Sequence, residues 1–268
     1  MITVVGGTGR LGQLVVASLL AKRNTVRVVS RHATSRGLEM DPRFTGVQLL
    51  DVDVANADQV PSAIAGSTHV VAAMTGMDPR TGGGPRAIDR DGAIGLIDAA
   101  AEIGCHLVLV SIVGAAPDSP IELFRAKWAA ESHLRTTARS GTIVRATAFA
   151  ELWADILSGS AGRDGRARLF GPAGNPINFV PVADVAAAVV RAVEEPAMAG
   201  QCVEVGGPDT LSLTELAARL TGRAPRHLPT PLVHAVALGA RPFAPGVARI
   251  ARQALAMERV DLAFTATT

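Results

Sequence analysis

Two sets of residues in this 268-residue chain could do chemistry: a glycine-bearing turn near the start and one lysine near the middle. The turn reads Gly6-Gly7-Thr8-Gly9-Arg10-Leu11-Gly12. Its G-x-x-G-x-x-G spacing falls between a β-branched run and a helical pattern. That context leaves unpaired backbone N–H groups, and the positive end of a helix dipole, where a phosphate could sit. Glycines admit an anion where a Cβ would block it, and Gly12 lets the helix close on the strand. Gly6, Thr8, Gly9, Arg10, Leu11 and Gly12 are therefore expected to bind a cofactor; the alternative is a turn that serves only the fold. The lysine is Lys127. Lys22 is the only other lysine, whereas arginine is used freely. A compact charge on a flexible stem can hold ribose hydroxyls or donate a proton. The alternative is an i,i+4 ion pair with Glu131.

Strands and helices in alternation would position these groups. Ile2-Thr3-Val4-Val5 reads as a buried strand, and Leu11, Leu14, Val15, Ser18 and Leu19 as the inner face of a helix. A second strand, 25–29, ends at Ser30-Arg31. An acid there would bind a ribose 2′-hydroxyl and repel a 2′-phosphate. Ser30, Arg31 and Arg36 stand in its place, with Arg10 near, and arginine matches phosphate geometry. NADP(H) is thus expected over NAD(H), unless these arginines only solvate a loop. A third strand, 47–50, leads to Asp51-Val52-Asp53. Asp53, with Val54 beside it, is expected near the adenine or else as the N-cap of a helix at 57–65. The apolar strand 69–73 runs into Met74-Thr75-Gly76, so Ala73, Met74 and Thr75 would pass beside a ribose. The Gly-, Pro- and Arg-rich stretch 77–86 reads as a surface loop that covers the ligand or merely connects. Helices at 88–104 and 121–140, with strands at 106–110 and 142–145, complete an α/β, Rossmann-type doubly wound parallel sheet.

After Arg145 the rhythm loosens. A helix at 150–159, a loop region at 162–178, a helix at 182–195 and a strand at 201–205 follow. Ser212 and Glu215 form a capping box opening a helix to about residue 220, and Pro-broken helical pieces fill the rest. We read residues 1–148 as an NADP-binding Rossmann domain and 149–268 as a smaller C-terminal substrate region. Residues 178–206 are expected to pack back on the first domain. Composition narrows the function: 48% hydrophobic and 19% charged residues suit a soluble globular chain. A net charge of +2 with no basic stripe implies no nucleic-acid partner. No run approaches the ~18 apolar residues of a membrane span. With a strand beginning at residue 2, no secretory leader is expected. Cys105 and Cys202 stand apart in stretches that read as buried, so a reducing, cytoplasmic setting is expected. Neither they nor the six histidines have metal-ligand spacing, and no metal site is expected.

The segments GGTGRLG, VRVVSR, IDRDGAIGLIDAAAEIGCHLVLVSIVGA, FRAKWAAE, IVRATAF and INFVPVADVAAAVVRAV…GQCVEVGGPDTLSLTELA resemble the atypical short-chain dehydrogenase/reductases. Within them the likeness is to the NmrA-like, NAD(P)H-binding group, over roughly residues 1–220. Many such relatives carry a Tyr-x-x-x-Lys pair, in which tyrosine moves the proton while lysine lowers its pKa and binds the nicotinamide ribose. Lys127 matches that lysine, but Leu123 stands at the tyrosine, Phe124 follows, and the chain has no tyrosine at all. Ser111 matches the family's serine, next to the apolar Ile112 and Val113.

The resemblance implies three readings. The first is an NADP(H)-dependent oxidoreductase reducing a quinone-like or conjugated carbonyl substrate. Its proton would come from Lys127, as in isoflavone-reductase-like members, from water, or from solvent after reduction of a tolerant substrate. Lys127 and Ser111 would be its catalytic residues, and Lys127 and Arg145 would also touch the cofactor. Ile112, Arg145, Ala148, Phe149, Trp153 and the loop before Asn178 would line a pocket for a flat, apolar small molecule, or else serve as ordinary core. The second is a non-catalytic redox sensor that signals through a protein partner. The third is an enzyme of specialised metabolism with a changed, non-redox reaction. Oxidation of NADPH with a quinone panel separates the first from the others.

Overall fold

The computed structural model describes residues 1–36, 38, 41–77, 83–138, 140–240 and 243–264, without the side chains of Arg36 and Pro245. The chain forms two compact units. The first comprises Met1–Pro117, Glu122–Ala146 and Val182–Val205; the second comprises Asp118–Ile121, Thr147–Pro181 and Gly206–Thr268.

The first unit is built on strands β1 (Ile2–Val5), β2 (Val26–Ser30), β3 (Gln48–Asp51), β4 (His69–Ala72), β5 (His106–Ile112) and β6 (Thr142–Ala146). A further strand, Cys202–Val205, joins the far edge beside β6. All seven run parallel. From β1 the chain moves to β2 and β3 on one side, then returns to place β4, β5 and β6 on the other. The strand order therefore reverses between β1 and β4, where sheets of this kind bind ligands beyond their carboxyl ends. Val4, Val28, Val70, Val71, Val108 and Val144 are fully buried, as a sheet covered on both faces requires.

Helix α1 (Arg10–Ala21) packs with a later helix, Val182–Glu194. Helices α2 (Val60–Ile64), α3 (Ala93–Glu102) and α4 (Glu122–Thr137) pack side by side. There Ile64, Leu96, Ile97, Leu107, Leu109 and Leu134 make one apolar core. Each such side chain contributes about 1.5–3 kcal/mol by leaving water.

Several local expectations change. The helix expected at 57–65 opens as a 3₁₀ turn, Ala57–Gln59, whose N-cap is Asn56 rather than Asp53. Asp53 instead accepts the Ala55 N–H at 3.0 Å. The helix expected at 88–104 opens as a π-helical turn, Arg86–Gly92, ahead of α3. The helix expected to reach 140 ends at Thr137. Cys105 is buried, but Cys202, on the edge strand, is exposed.

In the second unit, β7 (Ala148–Phe149) leads into α5 (Ala150–Gly159). The stretch expected to be loop, 162–178, contains β8 (Arg168–Phe170) and the start of β9 (Ile177–Val180). β9 lies between β7 and an antiparallel strand, Asp209–Leu211. Asn178 ties this sheet by accepting from Thr147 and the Gly207 N–H, both at 2.9 Å, and donating to the Gly207 carbonyl. The capping box of Ser212 and Glu215 opens the helix Leu213–Thr221, which Gly222 closes at φ 66°. Two more helices, Thr230–Gly239 and Pro245–Met257, pack on Val233, Ala237 and Ala251. Among the described residues no helix is long and apolar enough to cross a membrane.

Candidate functional site

The glycine turn connects β1 to α1. Gly6 has φ +84°, and a Cβ on it would lie 2.8 Å from the Ala73 carbonyl carbon and the Met74 nitrogen. A Cβ on Gly12 would lie 2.3 Å from the Gly6 oxygen. Both positions therefore exclude any side chain: the first lets β4 pass, the second lets α1 seat on the turn. Gly9 is the N-cap of α1, in extended conformation, with no side-chain cap, and the first turn holds no acid. The turn closes on itself through Gly9 N–H to Gly6 oxygen (3.0 Å) and Gln13 Nε2 to Thr8 oxygen (2.9 Å). Gly9 and Arg10 are exposed, Thr8 is half-buried, and Leu11 and Gly12 are buried. An uncapped helix start behind a glycine-rich turn can take an anion.

At the end of β2, Ser30 and Arg31 are half-buried. The acid at this corner is Asp51, at the end of β3. It accepts the Thr34 N–H at 2.9 Å and the Thr34 hydroxyl, bonds that hold its carboxyl below the usual range. No acid of the second strand's own end opposes a phosphate here. The Arg36 side chain lies outside the described residues. Val54 is buried and packs where a Cβ on Gly92 would come within 3.1 Å. Ala73 and Met74 are half-buried and Thr75 is exposed.

The i,i+4 spacing of Lys127 and Glu131 suggests a pair that does not form. Lys127, with 6% exposure, turns to Asp89 Oδ1 at 3.0 Å, the Val110 carbonyl at 2.9 Å and the Met74 carbonyl at 3.4 Å. Asp89 has no exposed surface, and its second oxygen accepts the Gly76 N–H at 2.8 Å. Glu131, also fully buried, accepts from the Ser111 hydroxyl (2.6 Å), Arg145 Nε (2.9 Å) and Nη2 (2.7 Å), and Arg135 (3.0 Å). Arg145 reaches on to Glu204 at 3.1 Å. Its hydrogen bonds to Glu131 push its pKa above the ordinary range, against the opposing effect of burial.

Arg145 spans two carboxylates, Glu131 and Glu204. Ser111 is at the strand end, but its proton is given to Glu131. In the sequence Glu131 stands out only as an alternative partner for Lys127, and Asp89 looks no different from exposed Asp91 two residues on. At the tyrosine position Leu123 and Phe124 are buried, so no ionisable group replaces it. Ile112 is half-buried at the end of β5. Phe149 and Trp153 belong to the second unit, on β7 and α5, and are half-buried there. Among the described residues no cluster of His, Cys, Asp and Glu has the makings of a metal site.

A family model described as NAD(P)H-binding matches residues 6–196, well over half of the chain. The chain belongs to this NAD(P)H-binding family. Its ligand class is thus a nicotinamide dinucleotide, and the glycine turn with its uncapped helix start has the form such a diphosphate needs. The chain is 29% identical over 228 residues to the NAD(P)H azoreductase of Xenophilus azovorans, covering 84% of this chain and 74% of that one. Among solved structures, it superposes on an NADPH-dependent quinone oxidoreductase from Escherichia coli with a TM-score of 0.75 and 19% identity. That match covers 98% of this chain and 91% of the other. Triphenylmethane reductase from Citrobacter sp., solved with NADP(H), gives a TM-score of 0.76 at 19% identity, covering 99% and 92%. These structures share the Rossmann-like fold, and the match bears out the resemblance to the atypical short-chain dehydrogenase/reductases.

Proposed function

We propose that this protein is an NADP(H)-dependent oxidoreductase that reduces a flat, conjugated acceptor of the quinone type without drawing a proton from Lys127. One observation carries the reading: the acid-free, uncapped start of α1 stands in a chain whose second strand ends on Ser30-Arg31. Backbone N–H groups of the stretch from Gly6 to Gly12, other than those of Gly6 and Gly9 that bond to the Val29 and Gly6 carbonyls, would hold the diphosphate, with Thr8, Arg10 and Leu11 around it. Ser30, Arg31 and Arg36 would read the 2′-phosphate, Asp53 the adenine, and Ala73, Met74 and Thr75 the riboses. When bound, the reduced dinucleotide supplies a hydride.

The protein's own residues supply little acid chemistry. Three acceptors surround the Lys127 ammonium, the Ser111 proton is committed, and no tyrosine is present. An acceptor that needs no enzymic proton fits this arrangement, because a reduced quinone anion is stable enough to collect its proton from water. The names of the relatives, an azoreductase, a quinone oxidoreductase and a dye reductase, agree with conjugated acceptors of this kind. Two free cysteines fit a cytoplasmic setting. The same commitments of Lys127 and Ser111 favour a second reading, a sensor that holds NADP(H) and signals through a protein partner.

Absorbance of the reduced nicotinamide, followed with a panel of quinones and azo dyes, tests the choice. Consumption of NADPH with any of them supports the oxidoreductase. Tight NADPH binding with no turnover across the panel supports the sensor, and absence of binding removes both.

A further inference from the structure

We infer that Asp89 is a positioning residue: it fixes the Lys127 ammonium, and the pair holds the exit turn of β4, Met74 to Gly76, beside the end of β5. The inference rests on the function proposed above only in setting the dinucleotide beside that turn.

A carboxylate with no exposed surface is strongly disfavoured unless charge and hydrogen bonds answer it. The two oxygens of Asp89 are answered differently, both from segments distant in sequence: Oδ2 by hydrogen bonds, and Oδ1, which makes none, by charge alone. Oδ1 meets Lys127 Nζ at 3.0 Å. Oδ2 accepts the Gly76 N–H at 2.8 Å and faces the Thr75 hydroxyl at 3.4 Å. Lys127 adds the Met74 carbonyl at 3.4 Å and the Val110 carbonyl at 2.9 Å. Four anchor points, on the π-helical turn, α4, the β4 exit and β5, are thus joined through two side chains.

The backbone is shaped for this. The turn Arg86–Gly92 closes with π rather than α geometry, which adds a residue to the turn and rotates its side chains relative to an ordinary helix. Asp89 faces inward while Asp91 remains exposed. Gly92 can pass Val54 because it lacks a Cβ, and Gly76 meets Gly84 so closely that a Cβ would lie 2.3 Å from the Gly84 oxygen. The Gly76 N–H, shut in by this approach, finds its acceptor in Asp89. Without Asp89 the turn loses the bond that sets its path, and Lys127 keeps only carbonyl partners.

Because Lys22 and Lys127 are the only lysines, protein labelled with ¹⁵N at lysine Nζ gives two ammonium signals, told apart with Lys22→Arg. Wild type and Asp89→Asn are compared by exchange of the Nζ protons with water and by NADPH titration, with Lys127→Met and the double variant Asp89→Asn/Lys127→Met beside them. In wild type the Lys127 protons should exchange slowly and those of exposed Lys22 quickly. Asp89→Asn should speed Lys127 exchange and weaken NADPH binding, each by about tenfold or more. The double variant should bind no worse than Lys127→Met, because paired residues acting as a unit are non-additive. If Asp89→Asn does not fold, the charge-balanced double variant compared with Lys127→Met still decides, since a further loss on adding Asp89→Asn overturns the coupling. Fast Lys127 exchange in wild type, or no change in Asp89→Asn, also overturns the inference. Failure of the proposed function looks different: Lys127 is protected and Asp89-dependent, yet NADPH does not bind the wild type.

Discussion

Lys127 and Glu131 lie one turn apart on α4 and are both buried, yet they serve opposite sides of the sheet. β5 is the divide between them. Lys127 hangs on the Val110 carbonyl and reaches toward β4, where the strand order reverses. Glu131 hangs on the Ser111 hydroxyl of the next residue and reaches toward β6 and the edge strand, through Arg145 and Glu204. Glu131 is saturated by donors that are all structural. The partners of Lys127 are the exit turn of β4 and the carboxylate that fixes it, next to the glycine turn. One helix therefore carries a bolt for the scaffold and a brace for the ligand cradle, and strand order decides which is which.

The largest expected effect comes from the bolt. Glu131→Ala strands Arg145 in a partly buried position, and breaking such a pair costs about 3–5 kcal/mol. Thermal unfolding should report that loss, while the folded fraction should bind NADPH within about twofold of wild type. An unchanged melting temperature, or a selective loss of binding, breaks the contrast. Lys127→Ala should show the reverse emphasis, with NADPH affinity falling by about tenfold or more in protein that still folds. Unchanged affinity would reduce Lys127 to a second bolt.

Arg31→Asp sharpens the picture of the cradle. The preference for NADPH over NADH should fall by about tenfold or more, because a carboxylate repels the 2′-phosphate that an arginine pairs with. An unaltered ratio assigns the phosphate to another group. The smallest effect lies at the opposite end of the strands, where His69 and His106 are register partners on β4 and β5. Burial lowers the pKa of both, and for His106 the neighbouring His69 adds to it. With folded values below the unfolded one, the unfolded chain takes up more protons as pH falls through the ordinary histidine range. Stability should therefore be full above that range and decline below it. His106→Gln should flatten that decline in melting temperature between neutral pH and pH of about 5 without altering NADPH affinity. An equally steep decline in the variant places the acid sensitivity elsewhere.

What the sequence reveals here is local. Three glycines at fixed spacing between a strand and a helix announce the cradle, because each answers a close approach of neighbouring backbone. Buried valine runs alternating with helices announce the parallel sheet, and Ser212 with Glu215 announces a cap. The pairing of Lys127 and Glu131 misleads for a physical reason. An i,i+4 pair on a helix surface contributes about 0.2–0.5 kcal/mol, far less than the buried partners each side chain finds 14 to 53 residues away. Asp89 stays hidden because a π turn breaks the 3.6-residue register by which an inward face is read. β8 and β9 stay hidden because three or four residues carry too little pattern, and their partners lie far along the chain.

The claim beneath all of this is that the turn from Gly6 to Gly12 and the arginines beyond β2 hold a phosphorylated adenine dinucleotide. Calorimetric titration of the purified wild-type protein with NADPH and with NADH tests it most directly. NADPH should bind saturably, and more tightly than NADH by about tenfold or more. Equal affinity for the two would contradict the assignment of the arginines, and binding of neither would contradict the cradle itself.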